Sequence, residues 1–144
     1  MSAEFPFADP DCIFCAIAAG EASAEIVDSD EHTVTLMDIN PATRGHALVI
    51  PRTHAADLLA IDSDDLTHTA IAAQRIVKRM EATLRPDGFN LLNATRVAAW
   101  QTVFHFHIHV IPRYTDDPLK LPWIPRGADI REISAIAAII REGQ

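Results

Sequence analysis

The chain has 144 residues and a formal net charge of −8, with 49% of its residues apolar and 22% charged. That length suits one domain with a sizeable core, and the composition is that of a globular chain rather than a disordered one. The acidic balance argues against a long nucleic acid as main partner, because that needs a basic footprint, while a small anion can still meet a locally positive site.

The opening "MSAEFPFADPD" carries acids and prolines and no apolar segment, so it does not read as a signal peptide. No apolar run approaches the length of a membrane span. A cytoplasmic protein is expected, as one domain over 1–144 with a flexible N-terminus at 1–10 and a variable tail and helix from 115 onwards. Cys12 and Cys15 then form a C-x-x-C pair. In a reducing compartment such a pair points to metal or redox chemistry before a structural disulfide, and no βαβ context favours a thioredoxin-like pair.

"CIFCAIAAG" predicts a short helix closed by Gly20. "EIVDSD" and "HTVTLMD" read as two strands around an acidic turn, with Val34 and Leu36 alternating with Thr33 and Thr35 as in a half-buried strand. "INPATRG" is a loop and "HALVIP" an apolar strand stopped by Pro51. Asp62, Ser63 and Asp64 offer N-cap oxygens to a long helix. Leu66, Ala70, Ala73, Val77, Met80 and Leu84 step along its apolar face, and Pro86 and Gly88 end it. "FNLLN" is a strand, "ATRVAAWQT" a linker, and a histidine-rich strand runs on to Pro112. A proline-broken tail precedes a final helix with Ile130, Ile133, Ala137 and Ile140 on one side. The order predicts an α+β fold: a mainly antiparallel five-stranded sheet with a long central helix, a short N-terminal helix and a C-terminal helix.

In "FHFHIHVIPR" three histidines alternate with apolar residues. On a strand, His105, His107 and His109 share one face, about 6.5–7 Å apart, and Phe104, Phe106, Ile108 and Val110 share the other. Three readings stand: a solvated strand face, a three-histidine catalytic zinc site, or a nucleophilic histidine with helpers. A neutral imidazole attacks phosphorus to give a labile phospho-imidazolium. Gln101 and Thr102, just before the strand, offer an amide and a hydroxyl to phosphate oxygens.

"HFHIHVI" has the H-φ-H-φ-H-φ-φ form, φ being apolar, and resembles the histidine triad (HIT) family. "DINPATRGHALVIPRTH" is similar to the family's segment carrying a fourth histidine, and "CIFCAIAAGE" to the start of its zinc-containing bacterial branch. The resemblance spans about Cys12 to Tyr114. It implies a nucleotide hydrolase or nucleotidyl transferase acting at the α-phosphate of a purine-type nucleotide, with phosphoramidates or dinucleoside polyphosphates as the substrate class. It implies His107 as nucleophile, His109 and His46 beside the phosphate, Gln101 and Thr102 on its oxygens, and Asp38 on the ribose hydroxyls. Ile39 and Leu48 are candidates for the base wall. It also implies a structural zinc on Cys12, Cys15, His54 and His105, and a homodimer paired through the long helix and an adjoining strand edge, with Trp123 in a tail that reaches towards the partner's pocket. The rival from another class is a nucleotide-binding regulatory module with little turnover.

The chain departs from the family before the histidines. The residue preceding Gln101 is usually glycine and here is Trp100. The loop "NATRVAA" has Asn93, a further candidate contact, but no glycine. An indole in place of that glycine is expected to narrow the phosphate end of the site, unless it turns away and fills an apolar gap.

Overall fold

Five short runs, all but β4 carrying two or more β-branched residues, form one sheet: β1 (Ile26–Ser29), β2 (Thr33–Met37), β3 (Ala47–Pro51), β4 (Gly88–Leu92) and β5 (Ile108–Arg113). In the computed structural model, which describes residues 8–143, they lie in the order β1-β2-β3-β5-β4. All four pairings are antiparallel. The flexible stretch expected at 1–10 falls, for residues 1–7, outside the described residues. Three helices complete the fold: α1 (Ile13–Ala18), α2 (Ser63–Thr83) and α3 (Ile130–Glu142). The α+β architecture is as expected, and among the described residues no helix is long and apolar enough to cross a membrane.

The sheet is apolar on both faces, because period-two alternation sends neighbouring side chains of β3 to opposite sides. Ala47 and Val49 join Phe106, Ile108 and Val110 in a core under Ala72, Ala73, Ile76 and Met80 of α2. Leu48 and Ile50 join Val34 and Leu36 in a second core under Phe14, Ile17 and Ala18 of α1. β2 is therefore not half-buried: Thr33 and Thr35 are buried too, and their hydroxyls find no hydrogen-bond partner among the described residues.

The long helix starts where expected, with Asp62 Oδ1 accepting from the Asp64 N–H at 2.8 Å. Its buried face is turned from the one predicted. Thr69, Ala72, Ala73, Ile76 and Met80 are buried, Ala70 is exposed, and Leu66, Val77 and Leu84 pack at the rim. The small side chains of Ala72 and Ala73 meet the flat sheet, and the larger ones close the edges. Arg75 ties this helix to the β1–β2 hairpin through Asp28 and Asp30, each at 2.8 Å.

The histidine strand begins later than expected. β5 starts at Ile108, and His105 and His107 lie on an irregular segment before it. That segment leaves the ladder because it bonds to the stretch after β3: the Phe106 N–H donates to the Ala55 carbonyl at 2.7 Å. Alternation of the faces survives from Phe106 onwards, but Phe104, expected in the core, is 50% exposed. β5 also continues through Pro112, whose carbonyl accepts from Thr43 Oγ1. Pro112 thus lies past the start of β3, where no ladder donor is required.

Gly45 sets the turn that delivers His46 to β3. Its φ is +92°, and a Cβ there would lie 2.6 Å from Leu84 Cδ1 and 3.2 Å from Pro112 Cγ. We expect Gly45→Ala to destabilise the fold by about 1–3 kcal/mol, from left-handed strain added to crowding. Urea unfolding measures this, and a loss below about 0.5 kcal/mol would show that the turn relaxes freely.

Candidate active site and metal centre

Three histidines on one short segment are put to different uses by the carbonyls they meet. His105 is fully buried, and its Nε2–H donates to the Pro51 carbonyl at 2.8 Å. That bond leaves Nδ1 as the lone pair. The Nδ1 atom lies 3.3 Å from Cys12 Sγ, 3.5 Å from Cys15 Sγ and 3.2 Å from His54 Nδ1. Cys15 Sγ is 3.4 Å from His54 Nδ1. A tetrahedral zinc with Zn–S near 2.3 Å and Zn–N near 2.0–2.1 Å spaces its S–N ligand pairs about 3.5 Å apart and its N–N pair about 3.3 Å apart. The four donors, all within 4.8 Å of one another, fit that geometry. Burial holds His105 down to about 4, so its imidazole is neutral and able to ligate. Burial pushes the Cys15 thiol up to about 11. A metal replaces that proton when it binds.

His107 is turned the other way. Its Nδ1–H donates to the His105 carbonyl at 2.7 Å, so Nε2 carries the free lone pair. The ring lies edge-on to Phe14, with centroids 5.2 Å apart. Burial holds this imidazole below its ordinary value, opposed by the His105 carbonyl and by Asp38. Asn93 supports the same segment by donating to the His107 carbonyl at 3.0 Å.

His46 and His109 form a relay. The Ala42 N–H donates to His46 Nδ1 at 2.9 Å, so the proton of His46 sits on Nε2. That Nε2–H donates to His109 Nδ1 at 2.9 Å, with Asp38 Oδ2 beside it at 3.5 Å. His109 is left with its own proton on Nε2. Burial lowers His109 to about 4 and also lowers His46. The chain therefore carries a fixed polarity from a backbone N–H to a ring N–H.

His107 and His109 border a cavity of about 360 Å³, within the range of small-molecule sites. Asp38, Ile39, Leu48 and Thr102 also line it. Asp38 stands at the end of β2, with Oδ1 held by the Asn40 N–H at 2.7 Å. Phe14 and Ile17 of α1 form a wall that sequence reasoning missed. Their apolar positions on the helix opened by the two cysteines were the available signal.

Four expected contacts lie elsewhere. His46 is buried behind His109 and does not line the cavity. The Gln101 side chain is 3% exposed, and its amide donates to the Ala56 and Val103 carbonyls at 2.7 and 3.2 Å. The Asn93 amide is held by the carbonyl of His107. Trp100 does not line the cavity. It is 65% exposed and borders a separate groove with Leu92, Leu121 and Trp123. The structure also shows why glycine suits that position, since Trp100 has φ 78° and ψ 18° in the left-handed region.

Residues 19–116 match the HIT domain. An uncharacterized HIT-like protein of Mycobacterium tuberculosis is 37% identical over 134 residues, covering 91% of each chain. A zinc-bound histidine triad family protein of Mycobacterium smegmatis superposes with a TM-score of 0.73 at 37% identity, over 93% of this chain and 98% of that one. A HIT family hydrolase of Clostridium thermocellum superposes at 0.68 and 32% identity, over 78% and 98%. With its histidine segment, its fourth histidine and more than half its length matched, the chain belongs to the HIT family.

Proposed function

We propose that this protein is a nucleotide hydrolase or nucleotidyl transferase that works at the α-phosphate through His107. The observation that carries the reading is the bond from His107 Nδ1–H to the His105 carbonyl, which leaves a neutral Nε2 lone pair at the floor of an apolar cavity. The substrate class is a purine-type nucleoside monophosphate joined to a leaving group, as in a phosphoramidate or a dinucleoside polyphosphate. The apolar wall of α1 and Leu48 suits a base, and the Asp38 carboxylate suits the ribose diol.

His107 Nε2 forms a bond to phosphorus as the bond to the leaving group breaks, and the leaving group departs with that electron pair and takes up a proton. The Nε2–H of His109 and the hydroxyl of Thr102 are side-chain donors beside His107 for the phosphate oxygens, and Ser23 and Asn40 also line the cavity. Water then attacks phosphorus, the P–N bond breaks, one proton is released, and His107 recovers its lone pair. An acceptor alcohol or phosphate in place of water gives transfer. Cys12, Cys15, His54 and His105 would hold a structural zinc, which fixes α1 to the histidine segment and takes no part in these steps.

We also propose a homodimer. Leu91 and Leu92 are exposed on the edge strand β4, and α3 exposes Ile130, Ile133, Ile136, Ile139 and Ile140. An uncovered edge and an uncovered apolar helix face both call for a partner. The alanines Ala72 and Ala73 are not available for it, since they face this chain's own sheet. Light scattering should give twice the chain mass at micromolar concentration, and a monomer would reject the pairing.

His107→Ala should lose nearly all turnover of an adenosine 5′-phosphoramidate while still binding adenosine monophosphate by calorimetry. Retained turnover would sink the assignment. In wild type, burial lowers the His107 proton affinity, so the reactive neutral form persists below the ordinary value of about 6.5. The acid limb of kcat/KM should therefore lie below that value, with folding checked at each pH. Elemental analysis of protein purified without chelator should find about one zinc per chain, and none in Cys12→Ser/Cys15→Ser. Metal-free wild type would remove the zinc reading and leave the nucleophile untouched.

A further inference from the structure

The loop from β4 to the histidine segment carries two backbone conformations that suit glycine, on two residues that are not glycine. Arg96 has φ 75° and ψ 162°, and Trp100 has φ 78° and ψ 18°. The Arg96 region is open essentially to glycine alone, and such conformations persist only where the surroundings enforce them. A short 3-10 turn, Val97–Ala99, lies between the two.

Gln101 bonds to the first of them. Its Oε1 accepts from the Arg96 N–H at 2.6 Å, and its own backbone N–H donates to the Arg96 carbonyl at 3.1 Å. Both backbone polar groups of the strained residue thus bond to Gln101, and its carbonyl also accepts from the Ala99 N–H at 3.1 Å. The other end of the same amide donates to the Ala56 carbonyl, in the stretch after β3, and to the Val103 carbonyl. The side chain is 3% exposed and has no hydrogen left to give. Thr102 and Val103, immediately after it, line the cavity beside His107 and His109.

We propose that Gln101 is a positioning residue: it clamps Arg96 in a glycine-type conformation and thereby places Thr102, Val103 and the histidine segment, without touching the phosphate itself. Resting on the hydrolase reading for its kinetic readout, the assignment departs from the expectation that the amide binds phosphate oxygens. The two roles respond differently to relief of the strain. If Gln101 serves to hold Arg96, a glycine at 96 makes the clamp largely dispensable. If Gln101 binds phosphate, a glycine at 96 restores nothing.

The experiment is a cycle of wild type, Gln101→Ala, Arg96→Gly and the double variant. Adenosine 5′-phosphoramidate turnover and adenosine monophosphate affinity are measured for each. Gln101→Ala should lower kcat/KM by about tenfold or more, as displaced catalytic groups do. Arg96→Gly should stay within about twofold of wild type, and the double variant should return to within about threefold, a strong non-additivity between neighbours. A double variant as poor as Gln101→Ala would overturn the clamp, and so would an unimpaired Gln101→Ala. Amide NMR without ligand separates this from the hydrolase reading. The residue-96 amide should lose exchange protection in Gln101→Ala, and the Thr102 and Val103 amide shifts should move and then return in the double variant. If wild type turned over no nucleotide, the hydrolase reading would fail while these shifts still decided the clamp; unmoved shifts in Gln101→Ala would reject it.

Discussion

One backbone group holds the site together: the carbonyl of His105. It accepts the Nδ1–H of His107 and so decides which nitrogen of that ring is free. The side chain of the same residue points into the cysteine cluster, with its orientation set by the Pro51 carbonyl at the end of β3. Its carbonyl thus orients the reactive ring, and its imidazole belongs to the metal centre. Any force that moves His105 moves both. A metal held by this cluster would therefore bear on the cavity without lining it, as outer partners do at other metal sites.

The sheet makes this arrangement affordable in free energy. With α2 over one face and α1 over the other, β3 and the residues leading into β5 are buried on both sides. Low-dielectric surroundings disfavour imidazolium, and burial is the largest cause of the downward shift at His46, His105, His107 and His109 alike. Four clustered histidines would repel if charged. Kept neutral, they become donors and acceptors with fixed tautomers. The linkage has a sign: the unfolded chain binds protons that the folded one refuses, so the fold loses stability as pH falls through the unfolded value of about 6.5.

Much of this was legible in the sequence because it rests on period and identity. The alternation from Phe106 to Val110 separated the core face from the histidine face, and the resemblance to the zinc-containing branch pointed to Cys12, Cys15, His54 and His105, whose donor atoms lie within 4.8 Å of one another. What escaped notice depends on tertiary packing. Thr33 and Thr35 read as a solvated face, yet α2 covers them. Ala70 fits the helical spacing but lies outside the contact arc that Ala72 and Ala73 define on the sheet. Gln101 carries the right atoms for a phosphate, and only the fold shows that carbonyls and the Arg96 N–H already occupy them. A positive φ at Arg96 or Trp100 has no signature in side chains of that kind.

The cavity meets negative charge without a cationic side chain, since neither lysine nor arginine lines it. Its polar lining is the rings of His107 and His109, the hydroxyls of Ser23 and Thr102, the Asn40 amide and the Asp38 carboxylate. An anion beside a neutral imidazole raises its proton affinity, so binding itself pulls His109 upward from its low value. The His46 N–H bonds to His109 Nδ1, and Asp38 stands 3.5 Å from His46 Nε2. Burial that keeps these rings neutral therefore leaves them responsive to any charge brought beside them.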